Sequence, residues 1–96
     1  MKHSEKWVLS LMSYKIEFSR NFVKQLKRIS PVEQKMVFKK VEILSENPFH
    51  PSLRTKKVQG IEDLFECSVN MDIRILWQYR ERKIILLLDI GHHDIL

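Results

Sequence analysis

The sequence has few of the residues that build nucleotide loops, disulfides and membrane spans. It contains two glycines, Gly60 and Gly91, and therefore lacks the glycine-rich loop that binds phosphates in P-loop and Rossmann folds. Its one cysteine, Cys67, excludes an internal disulfide, and a place inside a strand-like run is typical of a small buried residue. No apolar run approaches the roughly 20 residues of a membrane-spanning helix. We therefore expect a cytoplasmic protein with no membrane partner.

Metal-ligand and hydrolase motifs are scarce as well. His92, His93 and Asp94 are adjacent, and His50 is a further candidate ligand. Neighbours on an extended backbone point to opposite sides, however, and no familiar ligand spacing is present. No motif of a serine or cysteine hydrolase occurs. The sequence thus predicts no metal site and no other cofactor.

What the sequence does contain is positive charge. Seventeen Lys and Arg residues against twelve Asp and Glu give a net charge of +5. Such a charge favours a polyanionic partner, namely nucleic acid, the ribosome or an acidic protein segment, although many basic proteins have no such partner. A length of 96 residues is enough for one domain. Residues 1–11 do not fit the pattern that follows, so we assign the domain to residues 12–96, with Met12 as an alternative start.

The first half of this domain predicts one strand and two helices. Residues 13–18 alternate between apolar and polar side chains, as in a half-buried strand. Residues 19–29 then change to the apolar period of a helix. Ser30, as N-cap, and Glu33 complete the pattern of a capping box that begins a second helix, which ends before Pro48. So close a junction predicts an antiparallel helix hairpin lying on a sheet.

The second half predicts a basic loop followed by three strands. Residues 48–63 form the loop, and the strands are residues 64–69, 73–79 and 84–90. The last run is almost wholly apolar, which is typical of a central strand covered on both faces. The expected fold class is α+β, with an N-terminal strand and a helix hairpin packed on one face of a mainly antiparallel four-stranded sheet. Arg74 should lie in the middle of that sheet.

The combination of cations and histidine suits RNA cleavage without a metal. This reaction needs a base for the 2'-hydroxyl proton, cations for the pentacoordinate phosphate and an acid for the leaving 5'-oxygen. Histidine titrates near neutral pH, and arginine is a permanent planar donor to phosphate oxygens. Glu66 is a candidate base, although its alternative role, a strand ion pair, is the one we favour. DNA lacks the 2'-hydroxyl, so the mechanism is restricted to RNA.

Several segments also occur in an order typical of one protein family. In chain order they are the first strand, the hairpin capped by Ser30-Pro31, Asn47-Pro48, residues 51–60 (PSLRTKKVQG), Leu64-Phe65, residues 72–77 (DIRILW) and residues 85–94 (ILLLDIGHHD). Together they resemble the RelE/ParE toxin superfamily of type II toxin-antitoxin systems. The resemblance implies a toxin that a cognate antitoxin wraps and neutralises, with a toxin-antitoxin heterotetramer as one assembly. RelE-like, YafQ-like and YoeB-like members cleave mRNA in the ribosomal A site without a metal.

The resemblance also implies roles by position. Lys56 and Lys57, with Arg54 nearby, match the basic loop that holds RNA phosphates and assists proton transfer. Arg74 matches the strand arginine that stabilises the transition state, and His93 matches the general acid after the last strand. The residues predicted to bind substrate without reacting are Arg54, His50, His92 and Tyr79.

At its C-terminal end the sequence departs from the family pattern. Many members carry an aromatic residue after the His-Asp pair that stacks on the substrate base, whereas this sequence has Ile95 and Leu96 there. Either Tyr79 or Phe49 replaces it, or the activity is weak or absent. Two further hypotheses stay open. One is a ParE-like inhibitor of DNA gyrase, which has no need of His93, and the other is a disabled toxin that only binds its antitoxin.

Overall fold

The computed structural model describes residues 13–92, which form two helices on a five-stranded sheet. In chain order the elements are β1 (Lys15–Phe18), α1 (Arg20–Leu26), α2 (Pro31–Glu46), a 3₁₀ turn (Pro51–Leu53), β2 (Lys56–Lys57), β3 (Leu64–Ser68), β4 (Ile73–Glu81) and β5 (Ile84–His92). The predicted α+β class is confirmed. The predictions for residues 1–12 and 93–96, including His93, fall outside the described residues.

The strand order in the sheet is β1-β5-β4-β3-β2. β1 is parallel to β5 and the other pairs are antiparallel. β5 lies between β1 and β4, so its predicted central place is confirmed. It is not covered on both faces as expected, because the side chains of its second face are only half-buried. The prediction of four strands was wrong by one, because Lys56 and Lys57 form a short edge strand rather than part of a loop. Two lysines carry no apolar alternation, and only pairing with β3 makes them a strand.

The capping box predicted at the start of α2 is present. The Glu33 backbone N–H donates to Ser30 Oγ at 3.1 Å, and the Ser30 backbone N–H donates to Glu33 Oε1 at 2.9 Å. α1 begins at Ser19, whose Oγ accepts from the Phe22 backbone N–H at 3.0 Å. This helix ends at Leu26, three residues before the predicted end, because tighter turn-like hydrogen bonds replace the helical pattern at residues 28 and 29.

The core lies between the helices and one face of the sheet. Along β4 the side chains alternate, so that Ile75 and Trp77 are buried under the helices while Arg74 and Gln78 belong to the other face. The fully enclosed core residues of the helices and strands are Phe22, Val37, Leu44, Ile73, Ile75, Trp77, Ile85 and Leu87. The second face of the sheet is therefore free to carry polar side chains.

A bulge in β5 determines which side chains face the core at the end of that strand. Leu76 is opposite Asp89 and Trp77 is opposite Leu87, which leaves Leu88 as an extra residue between them. The Leu88 carbonyl accepts from Ser19 Oγ and Asn21 Nδ2, both at 3.0 Å. Because the extra residue shifts the alternation, Leu87 and, three residues later, Ile90 are both buried in the core.

Candidate functional site

A cationic pocket lies beside the turn that joins β3 to β4. Its volume is about 260 Å³. α2 contributes one residue to its wall, the 3₁₀ turn and the residue after it contribute two, and the β3-β4 hairpin contributes the rest. The lining residues are Lys40, Ser52, Arg54, Ser68, Val69, Asn70, Met71 and Arg74. Three of them are cations and none is acidic, so the pocket is suited to an anion with oxygen acceptors.

The β3-β4 turn holds the guanidinium of Arg74. Arg74 Nη1 donates to the Asn70 carbonyl at 2.7 Å and to the Ile73 carbonyl at 3.2 Å. The turn is itself fixed, since Asn70 Oδ1 accepts from the backbone N–H groups of Asp72 and Ile73, both at 2.8 Å. A guanidinium has five N–H donors, and these bonds occupy only one of its nitrogens. The other donors of Arg74 remain available for a bidentate contact with an anion.

Arg54 is brought to the pocket by an unusual backbone conformation. It follows the 3₁₀ turn with φ of 49°, in the left-handed region, and its N–H donates to the Pro51 carbonyl at 3.2 Å. This region costs a non-glycine residue about 1–2 kcal/mol. The surrounding turn holds the conformation, because Leu53 is fully buried and Thr55 Oγ1 donates to the Pro48 carbonyl at 2.5 Å.

Lys40 is a site residue that the sequence analysis missed. It lies on α2 next to the buried stripe formed by Val37 and Val41, and its Nζ donates to the Ser52 carbonyl at 3.3 Å. Helical periodicity places Lys40 at the border of the buried face, but it does not show what lies opposite. Ser52, Ser68 and Asn70 also line the pocket without having been predicted there, although Ser52 lies in the segment of residues 51–60 that contributes to the family resemblance.

Lys56 and Lys57 lie on β2, outside the pocket lining. Lys56 is opposite Glu66, and its Nζ is 3.6 Å from Glu66 Oε1. The Lys56 side chain is 73% exposed and that of Glu66 is 6% exposed, so Glu66 has the strand ion pair that was its alternative role. Glu66 and Ser68 share a face of β3, and Ser68 is opposite Arg74. Lys56 is therefore on the face of Arg74, whereas Lys57 is on the other face.

The two described histidines are not brought together with Arg74. His50 caps the 3₁₀ turn, where its Nδ1 accepts from the Ser52 backbone N–H at 3.1 Å. His92 is opposite Ile73, while Arg74 is opposite Gly91, so His92 and Arg74 lie on different faces of the sheet. His92 is instead on the helix side, close enough to Glu33 to contribute slightly to the lowered pKa of that carboxyl. Substrate binding by either histidine stays a prediction.

Tyr79 lies in an aromatic cluster and not in the pocket. Its ring centroid is 5.8 Å from that of Tyr14, 5.5 Å from Phe65 and 5.1 Å from Trp77. Burial, together with the neighbouring Tyr14, raises the pKa of Tyr79 to about 12. Phe49, the other candidate for base stacking, is 55% exposed and meets Phe65 edge to face at 5.7 Å. Phe49 therefore has the more accessible ring of the two.

Nucleophilic and metal chemistry have little support in residues 13–92. Burial, followed by the charge of Glu66, raises the pKa of the Cys67 thiol to about 12, so the thiol is protonated at neutral pH. No group of three or more His, Cys, Asp or Glu side chains in this range is placed to hold a metal ion. Neither helix in this range is long and apolar enough to cross a membrane.

Comparisons with known proteins identify the family. The model of the ParE toxin of type II toxin-antitoxin systems matches residues 16–96. Archaeal RelE, solved in the RelE-RelB complex from Pyrococcus horikoshii OT3, has a TM-score of 0.72 at 19% identity, covering 88% of this chain and 100% of that chain. The YoeB/ParE toxin from Agrobacterium tumefaciens has a TM-score of 0.72 at 8% identity, covering 82% and 98%. A metal-bound toxin from Helicobacter pylori has a TM-score of 0.66 at 24% identity, covering 86% and 98%.

Among curated proteins, no sequence matches this chain at a significant level. The three structures compared are all below 25% identity and show that the fold is shared. The family model spans most of the chain, including every strand and helix except the first residue of β1. From this match and the shared fold, the chain belongs to the ParE toxin family of type II toxin-antitoxin systems, within the RelE/ParE superfamily.

Proposed function

We propose that this toxin is a metal-independent endoribonuclease that cleaves mRNA on the ribosome. The observation that carries the proposal is the pocket in which Arg54 and Arg74 converge with Lys40 and no carboxylate. Such an arrangement concentrates positive charge at one point, as stabilisation of a pentacoordinate phosphate requires. It also fits the net charge of +5, which attracts RNA and ribosome.

In the proposed reaction, the RNA 2'-hydroxyl attacks the adjacent phosphorus and gives its proton to a water molecule, while the bond to the 5'-oxygen breaks. The products are a 2',3'-cyclic phosphate and a 5'-hydroxyl. Arg74 and Arg54 stabilise the charge on the phosphate oxygens and remain protonated throughout. His93 gives its proton to the leaving 5'-oxygen, a role that rests on the sequence pattern. Lys56 lies on the face of Arg74 and binds a neighbouring phosphate, whereas Lys57 does not share that face.

The partners we propose follow from the family. A type II toxin has a cognate antitoxin, and the RelE structure from P. horikoshii was solved in complex with RelB. We place acidic side chains of the antitoxin over the cationic pocket, since opposite charge would steer the two proteins together. A heterotetramer of two toxins and two antitoxins is the assembly we expect, in the cytoplasm where mRNA is translated.

A second candidate function is inhibition of DNA gyrase by binding. The observation in its favour is that the matching family model is that of the ParE toxin. A gyrase inhibitor has no need of an acid at residue 93, nor of an arginine held by a turn as Arg74 is. The two functions therefore differ in their dependence on these two side chains.

The deciding experiment is expression of the toxin in cells without antitoxin, with mapping of mRNA 5' ends by primer extension. The variants are His93→Ala and Arg74→Ala, and the matched control is Arg82→Ala, since Arg82 is exposed in the β4-β5 turn. We expect cuts inside translated codons for wild type and Arg82→Ala, and at least a 100-fold loss of cutting in the other two. Growth arrest with intact mRNA would contradict the proposal and favour gyrase, and no arrest would indicate a disabled toxin.

A further inference from the structure

We infer that Lys40 is a phosphate-binding residue and that the pocket takes one backbone phosphate of an RNA strand rather than a base. The choice of RNA as ligand rests on the proposed function. The geometry of the pocket is independent of that proposal, and it supplies three separate arguments for a phosphate ligand.

The first argument is uncompensated charge. The two ion pairs found within residues 13–92 join Lys56 to Glu66 and Arg80 to Glu17. None of the three pocket cations has a carboxylate partner in this part of the chain. Like charges repel each other, so a pocket lined by three cations and no carboxylate favours an anionic ligand. Lys40 and Arg74 are close enough to the buried Cys67 that both charges oppose the rise of its pKa.

The second argument is the state of the Lys40 ammonium. It has three N–H donors, and the bond from Nζ to the Ser52 carbonyl, at 3.3 Å, uses one of them. That bond joins the side chain to the 3₁₀ turn at the wall of the pocket. The remaining donors are available to a ligand.

The third argument is the chemistry of the lining. Besides the cations, the lining residues are Ser52, Ser68, Val69, Asn70 and Met71, and none of them is aromatic. Unpaired RNA bases are bound mainly by stacking on aromatic rings, which this pocket does not offer. Its volume of about 260 Å³ is below the roughly 300 Å³ at which drug-sized sites begin. A phosphate group with part of its sugar is the fitting ligand.

The position of the pocket also indicates the path of the strand. Arg74 is opposite Ser68 and Lys56 is opposite Glu66, two residues apart along β3. Two residues of a strand span about 7 Å, and the two strands that flank β3 lie about 10 Å apart. Lys56 is therefore on the same face as Arg74, diagonally across β3 and about 12 Å away between Cα atoms, and its long side chain can meet a neighbouring phosphate. The RNA backbone would cross β3 diagonally from Arg74 towards Lys56.

The test is binding of a 2'-O-methyl trinucleotide, which cannot be cleaved because its attacking hydroxyl is blocked. Wild type is compared with Lys40→Gln and with the matched control Lys39→Gln, which removes the same charge from an exposed position one residue away. We expect about a tenfold loss of affinity for Lys40→Gln and a change below twofold for Lys39→Gln. The slope of log K against log salt should become shallower by about 0.7 for Lys40→Gln alone. Equal effects of the two variants would overturn the inference.

Two further measurements keep the test decisive. The first applies where Lys40→Gln lowers the thermal midpoint of unfolding. Lys40→Arg retains the charge, so it should bind with the affinity and the salt slope of wild type. In wild type, titration with inorganic phosphate should shift the backbone amide signals of Ser52, Ser68 and Asn70, and shifts confined to other residues would contradict the site. Cleavage is not a readout here. A toxin that binds the trinucleotide through Lys40 but leaves mRNA intact would therefore overturn the proposed function and not this inference.

Discussion

At the scale of single residues, the ion pair of Lys56 and Glu66 contributes to stability, and its lysine is also one of the proposed RNA-binding residues. Glu66 is the one buried charged residue in residues 13–92, at 4% exposure, and Lys56 is its ion-pair partner there. A buried carboxylate that loses its partner is destabilising, whereas exposed lysines contribute little. The two adjacent lysines of β2 thus have different roles, although they look alike in the sequence.

We expect Lys56→Met to lower the free energy of unfolding by about 1–2 kcal/mol, because Glu66 is left buried without a countercharge. The estimate is below that for a fully buried pair, since the Lys56 side chain is 73% exposed. Lys57→Met is the control and should change stability by less than about 0.5 kcal/mol. Urea unfolding measures both. In the double variant with Glu66→Gln the penalty should largely disappear, and equal effects of the two lysines would contradict the pairing.

Cys67 gives a prediction about reactivity and pH. Its thiol is 1% exposed and burial raises its pKa from 9.0 to about 12. The native thiol should therefore resist iodoacetamide at pH 8, and labelling should proceed only at the rate of unfolding. The unfolded thiol loses its proton above pH 9 while the native one keeps it, so stability should fall between about pH 9 and 12. Rapid native labelling, followed by mass spectrometry, would contradict this burial.

At the scale of elements, the start of α2 is fixed by a local interaction that the sequence shows directly. The Ser30 hydrogen bonds, chiefly the one from its backbone N–H, lower the pKa of Glu33. Because its native pKa is lowered, ionised Glu33 stabilises the fold at pH values above its unfolded pKa of 4.5. This contribution is lost as the pH falls through the native pKa. Helix α2 in turn carries Lys40, so the cap also helps to position the pocket.

Ser30→Ala should lower the free energy of unfolding at pH 7 by about 1 kcal/mol, the usual cost of losing an N-cap. Glu33→Gln should remove part of the stability loss that occurs as the pH falls below 4.5, because no carboxylate at this position has to be protonated. Urea unfolding at several pH values measures both effects. Glu42→Gln, on the exposed side of the same helix, is the matched control and should leave the acid dependence nearly unchanged.

The bulge in β5 is a feature of that strand that the sequence did not reveal. An apolar run such as residues 84–90 has no alternation that would mark a register shift, so it predicts a straight strand. Leu88 is accommodated because its carbonyl finds donors on Ser19 and Asn21, far away in the sequence. The shift places Gly91 beside Arg74 and sends His92 to the other face.

At the scale of the whole molecule, the pocket exists only because three separate parts of the chain meet. Lys40 comes from a helix, Arg54 from a strained turn residue and Arg74 from a central strand. None of these residues marks a pocket by itself in the sequence, and the local excess of positive charge arises because packing brings the three together. The proposed site therefore depends on the complete fold, so loss of packing under α2 should abolish binding together with stability.

The sequence by itself determined the class of fold, the order of its elements apart from β2, the capped start of α2, the central place of β5 and the superfamily. These features depend on periodicity and on residues close together in the chain, which leave local patterns. It also predicted Arg54 and Arg74 as site residues, through a resemblance over the whole domain. The tertiary structure alone decided that Lys40 joins them, that Lys56 and Lys57 face opposite ways and that His92 is separated from Arg74. Those outcomes depend on strand pairing, a bulge and the contact of a helix with a distant turn, which are long-range interactions without a local pattern.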